Sequence, residues 1–128
     1  MQLTITPTRN VGGISFGMDR NNVRRILPGF QKEFKKSKFS KSSTDDFGYC
    51  HVFYNTEDRC NAVEFFEGVE LIYNNSNLFE LSIDGLKKVF PDICLEYGSY
   101  ISRRYSIGIV INNNKVESIL VGCQNYYC

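Results

Sequence analysis

The chain has 128 residues, 42% of them hydrophobic and 23% charged, enough to bury one core without a metal or disulfide scaffold. Its formal net charge of +1 excludes a strong overall field for a polyanion, yet the charge is segregated along the chain. Residues 1–41 carry nine Lys or Arg against Asp19 and Glu33, whereas residues 42–98 carry eleven acids against Arg59, Lys87 and Lys88.

Gln2–Thr6 alternates polar and apolar residues and reads as a strand stopped by Pro7. After loop chemistry at 8–13 and the segment Ile14–Met18, the pattern turns helical from Asp19, an N-cap residue type. Met18, Val23, Ile26 and Leu27 form its apolar stripe, and Pro28-Gly29 ends it. Residues 31–43 interleave lysines with Phe34 and Phe39 and end in serines, as expected of a loop held to the body by its two phenylalanines. Tyr49–Tyr54, the polar turn Asn55–Asp58 and Arg59–Phe66 make the clearest hairpin. Val69–Tyr73 reads as a strand and 74–77 as a loop. Ser82 then caps a second helix with Leu86, Val89 and Phe90, ended by Pro91. Ile107–Ile111, the turn at 112–114 and Lys115–Val121 form a second hairpin.

The two halves repeat this order. Val23-Arg-Arg-Ile-Leu27 over Leu86-Lys-Lys-Val-Phe90 keeps the apolar and basic classes at one offset of 63, which also superposes Pro28 on Pro91. The expected fold is α+β: a tandem repeat of a strand–helix–hairpin unit forming one antiparallel sheet, with two short helices on one face and the other face open. A single domain spans 1–128, with repeat one at about 1–67, repeat two at about 68–123 and a tail at 124–128. The two tyrosines of that tail suit either docking on the body or contact with a partner.

No catalytic residue, metal site or cofactor is expected. Cys50 and His51, the only histidine, are neighbours in a strand and point to opposite faces, which separates a would-be nucleophile from its base. Asp45-Asp46 lacks the spacing of a calcium loop, and the glycines at 12, 13 and 17 lack the frame of a phosphate loop. Five cysteines, an odd number without C-x-x-C spacing, read as reduced thiols. Residues 1–7 lack the basic and apolar regions of a secretory signal, and no run is long enough for a membrane span, so a soluble cytoplasmic protein without a membrane partner is expected.

Two charged regions remain. The lysines of 32–41 with their phenylalanines could track a nucleic-acid backbone, although the acidic middle cancels their long-range field. The acidic first hairpin interleaves Asp45, Asp46, Glu57 and Asp58 with Tyr49, Phe53 and Tyr54, and acids beside rigid aromatics suit a protein surface that enters a basic cleft. These seven residues are the candidate partner-binding set. The alternatives are a sheet edge protected by solvated carboxylates, and a small-ligand or enzymatic domain with a polar pocket at His51.

Gly17-Met18-Asp-Arg-Asn-Asn-Val23-Arg-Arg-Ile-Leu27 resembles the G-M-[ST]-x-x-x-V-x-x-x-L-G motif of repeats in β-lactamase-inhibitor-like and SmpA-type domains, which act by binding proteins; the second copy has Glu80 in place of Gly17. The whole chain, with Asp-Asp-Phe-Gly-Tyr-Cys-His-Val-Phe-Tyr at 45–54 and Glu-Ser-Ile-Leu-Val-Gly-Cys at 117–123, looks like a cytoplasmic immunity protein of bacterial contact-dependent inhibition and polymorphic toxin systems. That resemblance implies a non-enzymatic protein whose partner is one cognate toxin, often a nuclease, neutralised by covering its active site.

Overall fold

The computed structural model describes residues 1–127, so the fifth cysteine, Cys128, lies outside the described residues. In chain order the elements are β1 (Gln2–Thr6), β2 (Asn10–Val11), β3 (Ile14–Ser15), α1 (Arg20–Ile26), β4 (Lys32–Phe34), β5 (Thr44–Asp46), β6 (Cys50–Tyr54) and β7 (Cys60–Phe66). They continue with β8 (Glu70–Tyr73), β9 (Ser76–Asn77), a 3₁₀ turn at Leu78–Glu80, α2 (Ile83–Val89), β10 (Cys94–Glu96), β11 (Ser99–Ser102), β12 (Ile107–Asn112) and β13 (Lys115–Gly122). The fold is α+β, mostly sheet with two short helices. None of its described helices is long and apolar enough to cross a membrane.

Both helices start where the capping chemistry places them. The Asp19 carboxylate accepts from the Asn22 amide at 2.9 Å, and the Ser82 hydroxyl accepts from the Gly85 amide at 3.1 Å. Each stops because the residue before a proline is driven out of helical geometry: Leu27 has ψ 126° and Phe90 has ψ 84°.

There are two sheets rather than the single one expected. The larger has eight strands in the order β4-β5-β6-β7-β13-β12-β11-β10, antiparallel throughout. The smaller runs β3-β2-β1-β8-β9, with β1 and β8 parallel and Leu3 opposite Leu71. The reason lies in dimensions. Eight strands at ~4.8 Å spacing make a face about 34 Å wide. A helix of seven residues is only about 10 Å long, so two of them leave much of that face bare. The strands expected to extend the large sheet pair with each other instead and cover it, burying Ile5, Val11, Ile14 and Leu71.

Register decides what each face of the large sheet carries. Val52, Val63, Val121 and Ile107 lie in one cross-strand row, and Cys50, Phe65, Ile119 and Ile109 in the next; all eight are buried in one cluster. Val23 and Leu27 of α1, and Leu86 and Phe90 of α2, join that same cluster. Strand periodicity sends the intervening residues to the opposite, outer face. The segment 31–43 departs from a plain loop: Lys32–Phe34 pairs with Thr44–Asp46, and only 35–43 is irregular. Phe39 anchors nothing, being 82% exposed.

Candidate functional site

The seven residues expected to meet a partner divide between the interior and the surface. Asp45 sits opposite Val52, on the core side of the sheet, and is fully buried. Arg20 and Arg24, one turn apart on α1, converge on it. Arg20 Nη1 donates to Asp45 Oδ1 at 2.7 Å, and Arg24 donates through Nε at 2.8 Å and Nη2 at 2.7 Å. The Tyr54 hydroxyl donates to Asp45 Oδ2 at 2.9 Å, and the Arg20 guanidinium lies 3.9 Å from the centre of the Tyr54 ring. Asp45 and Tyr54 are therefore held inside and do not reach a partner's cleft. A carboxylate buried without its guanidinium partners would cost several kcal/mol, which is why two arginines follow it inward.

Glu33 and Asp58 complete this network from the solvent side, bonded to Arg24 and Arg20 at 2.9 Å each. Burial alone would make Arg20 easier to deprotonate, but the bond to Asp58 and the field of Asp45 raise its pKa above the ordinary value. Bonds from Ser43 and Arg24 hold the Glu33 carboxyl below the usual range. The i, i+4 spacing puts Arg20 and Arg24 on one side of α1, and the register of β5 on β6 decides that Asp45 is the acid they meet.

Tyr49 is half-buried, its hydroxyl donating to the Pro28 carbonyl at 2.8 Å, and burial pushes that hydroxyl up to about 12. Phe53 is on the outer face but covered, with Lys36 Nζ 3.8 Å above its ring. Glu57 and Asp58 are exposed at the hairpin tip, in a turn held by the Asn55 side chain, which accepts from the Glu57 and Arg59 amides. Asp46 faces outward, accepting from the Gly48 amide at 2.7 Å with its carboxylate 3.5 Å from His51 Nε2. Cys50 points into the core, where burial pushes its thiol up to about 12, while His51 stands on the other face. Cys50, Cys60, Cys94 and Cys123 are free thiols.

The outer face carries a row that sequence reasoning did not assemble. Lys32, Asp46, His51, Glu64, Leu120 and Gly108 are successive cross-strand neighbours on β4, β5, β6, β7, β13 and β12. Phe34 and Phe66 flank His51 edge-on, at 5.2 and 4.9 Å between ring centres. All three rings are half-buried. Farther along, the tail turns back onto the sheet: the Tyr126 amide donates to the Cys123 carbonyl at 3.1 Å. Tyr126 lies over Gly122 and Tyr127 over Gly108, where a methyl group on the glycine would stand 2.7 and 2.1 Å from tyrosine atoms. Tyr126 and Tyr127 therefore dock on the body, and burial raises the Tyr127 hydroxyl to about 12.

Fold and face together define a small two-sheet α+β architecture with a half-exposed aromatic and acidic strip on the outer face of its larger sheet. Comparison with protein-family models, with curated proteins and with solved structures finds no match.

Proposed function

We propose that the protein neutralises a bacterial toxin by binding over its active site, acting in the cytoplasm and without catalysis. The observation that carries this reading is the outer strip: Phe34 and Phe66 stand T-shaped against His51, and Asp46 and Glu64 flank His51 in its cross-strand row. Glu57 and Asp58 extend the acidic character at the tip of the β6–β7 hairpin. Rings held by a sheet lose little freedom on binding, and carboxylates speed encounter with a basic cleft such as that of a nuclease. An ordinary interface of about 800 Å² per partner would use roughly a ninth of the 7332 Å² surface. The interface proposed is thus Asp46, Glu57, Asp58 and Glu64 with Phe34, His51 and Phe66; Asp45 and Tyr54 act from inside, holding the hairpin.

The same proposal takes the chain as two copies of one unit. The helices start 63 residues apart, at Arg20 and Ile83. Outward from the central β7–β13 pair, the strand order is β6, β5, β4 on one side and β12, β11, β10 on the other.

The test is co-expression with the secreted proteins encoded beside this one, scoring survival and toxin activity. Asp46→Lys, Glu57→Lys and Glu64→Lys together are expected to abolish protection while the variant keeps a single cooperative urea transition. Protection by the triple variant, or by none of the neighbouring pairs, overturns the reading. A second reading, a nucleic-acid-binding module, is favoured by the exposed lysines at 32, 35, 36, 38 and 41 around the exposed Phe39. It requires affinity for single strands that falls steeply with salt in filter binding.

A further inference from the structure

A groove of about 460 Å³ opens between the segment 36–44, the β6–β7 hairpin and the tail. We propose that it is a binding site for a single nucleotide unit, a planar base carrying an exocyclic amine together with a phosphate. The proposal stands independently of toxin binding.

Three features of the lining converge. Lys36 and Lys41 supply two cations, and none of the described lining residues is a carboxylate; the rest are Ser, Thr, Asn, Phe and Tyr. In a chain of net charge +1, that makes the groove a local site for an anion. Phe53 and Tyr126 supply aromatic surface from two different elements. Asn61 also lines the groove, and its Oδ1 is buried without a hydrogen-bond partner among the described residues. Buried acceptors are nearly always satisfied, and a turn of the Asn61 amide toward the groove would bring this oxygen to a donor such as a base amine.

The cations are placed to move. The Lys36 ammonium rests on the Phe53 ring, 3.8 Å from its centre, on an exposed segment. An incoming base would take the ring face, and the displaced ammonium would meet the phosphate, exchanging a cation–π contact for a charge-assisted hydrogen bond. The volume falls within the range of small-ligand sites and suits one nucleotide rather than a stretch of chain.

The experiment is an amide-shift titration of the full chain with adenosine monophosphate, adenosine, inorganic phosphate and a short oligodeoxyadenylate. Millimolar adenosine monophosphate is expected to shift Lys36, Asn61 and Tyr126, and to bind about tenfold or more tighter than adenosine or phosphate alone. Lys36→Ala with Lys41→Ala, both exposed positions, should cut that affinity about tenfold with an unchanged spectrum elsewhere. An oligonucleotide that binds no tighter than the monophosphate assigns a free nucleotide; one that binds more tightly assigns a strand. Either supports the site. No shift at these residues, equal binding by phosphate alone, or unchanged affinity of the double variant overturns it.

Discussion

Asp45 shows how one side chain can set the conformation of three elements. It joins β5 to α1 through Arg20 and Arg24 and to β6 through Tyr54, and none of its surface meets water. Asp45→Ala leaves Arg20, a residue only 8% exposed, without its buried counter-charge. The expected loss is about 3–5 kcal/mol in urea unfolding at neutral pH, whereas Glu33→Ala, at the exposed end of the network, should cost well under about 1 kcal/mol. Equal effects would mean that burial is not what gives Asp45 its weight. The thiols offer a second residue-scale test. Burial pushes Cys50 and Cys60 up to about 12 from the ordinary value of 9.0. Above about pH 9 the unfolded chain releases protons that the folded chain keeps. Their contribution is therefore complete at neutral pH and is lost as pH rises toward 12. Stability should fall by up to about 1.4 kcal/mol per pH unit for each thiol over that window. Urea titrations between about pH 8 and 10 should show the slope, and Cys50→Ala should remove about half of it.

Between elements, the tail is the contact most open to perturbation. Gly108 and Gly122 leave the sheet without side chains where Tyr127 and Tyr126 lie. Gly108→Ala puts a methyl group 2.1 Å from the Tyr127 hydroxyl position, so the tail must lift. The hydroxyl, pushed up to about 12 by burial, should then titrate near the ordinary value of 10.0, read as one extra tyrosinate in an absorbance titration. An unchanged titration would mean that the ring adjusts in place. What could be read from residues alone follows from how local each feature is. The caps Asp19 and Ser82, the stops before Pro28 and Pro91, and both hairpins depend on neighbours in sequence and stand where expected. Strands β2, β3 and β9 have two residues each and leave no periodicity to detect. The parallel β1–β8 pair joins segments from opposite halves of the chain and depends only on the area left uncovered. For the site, alternation already separated Cys50 from His51, but which of Asp45 and Asp46 turns inward depends on pairing with β6 across a loop. The outer strip needs four strands, β4 to β7, in register before its residues become neighbours.

At the scale of the molecule, the two halves are tied at two seams. β7 pairs with β13 in the large sheet, and β1 pairs with β8 in the small one. One buried cluster crosses both seams, from Val63 and Phe65 to Ile119 and Val121, and from Ile5 to Leu71. A half-chain would leave the backbone edge of β7 or β13 unpaired along their shared ladder and lose the strand that joins the two parts of the small sheet. An open pair of edges with so small a core does not hold a fold of about 60 residues. Fragments 1–67 and 68–128 are therefore expected to be unfolded separately by circular dichroism and to recover sheet signal on mixing. The intact chain should unfold in one transition with equal calorimetric and van't Hoff enthalpies. A folded single fragment, or two resolved transitions, would show that each half carries its own core. The strip proposed to meet a toxin would then belong to the first half alone, and its binding would survive removal of residues 68–128. With a shared core, removing the second half must abolish binding even though Asp46, His51 and Phe66 remain in the chain.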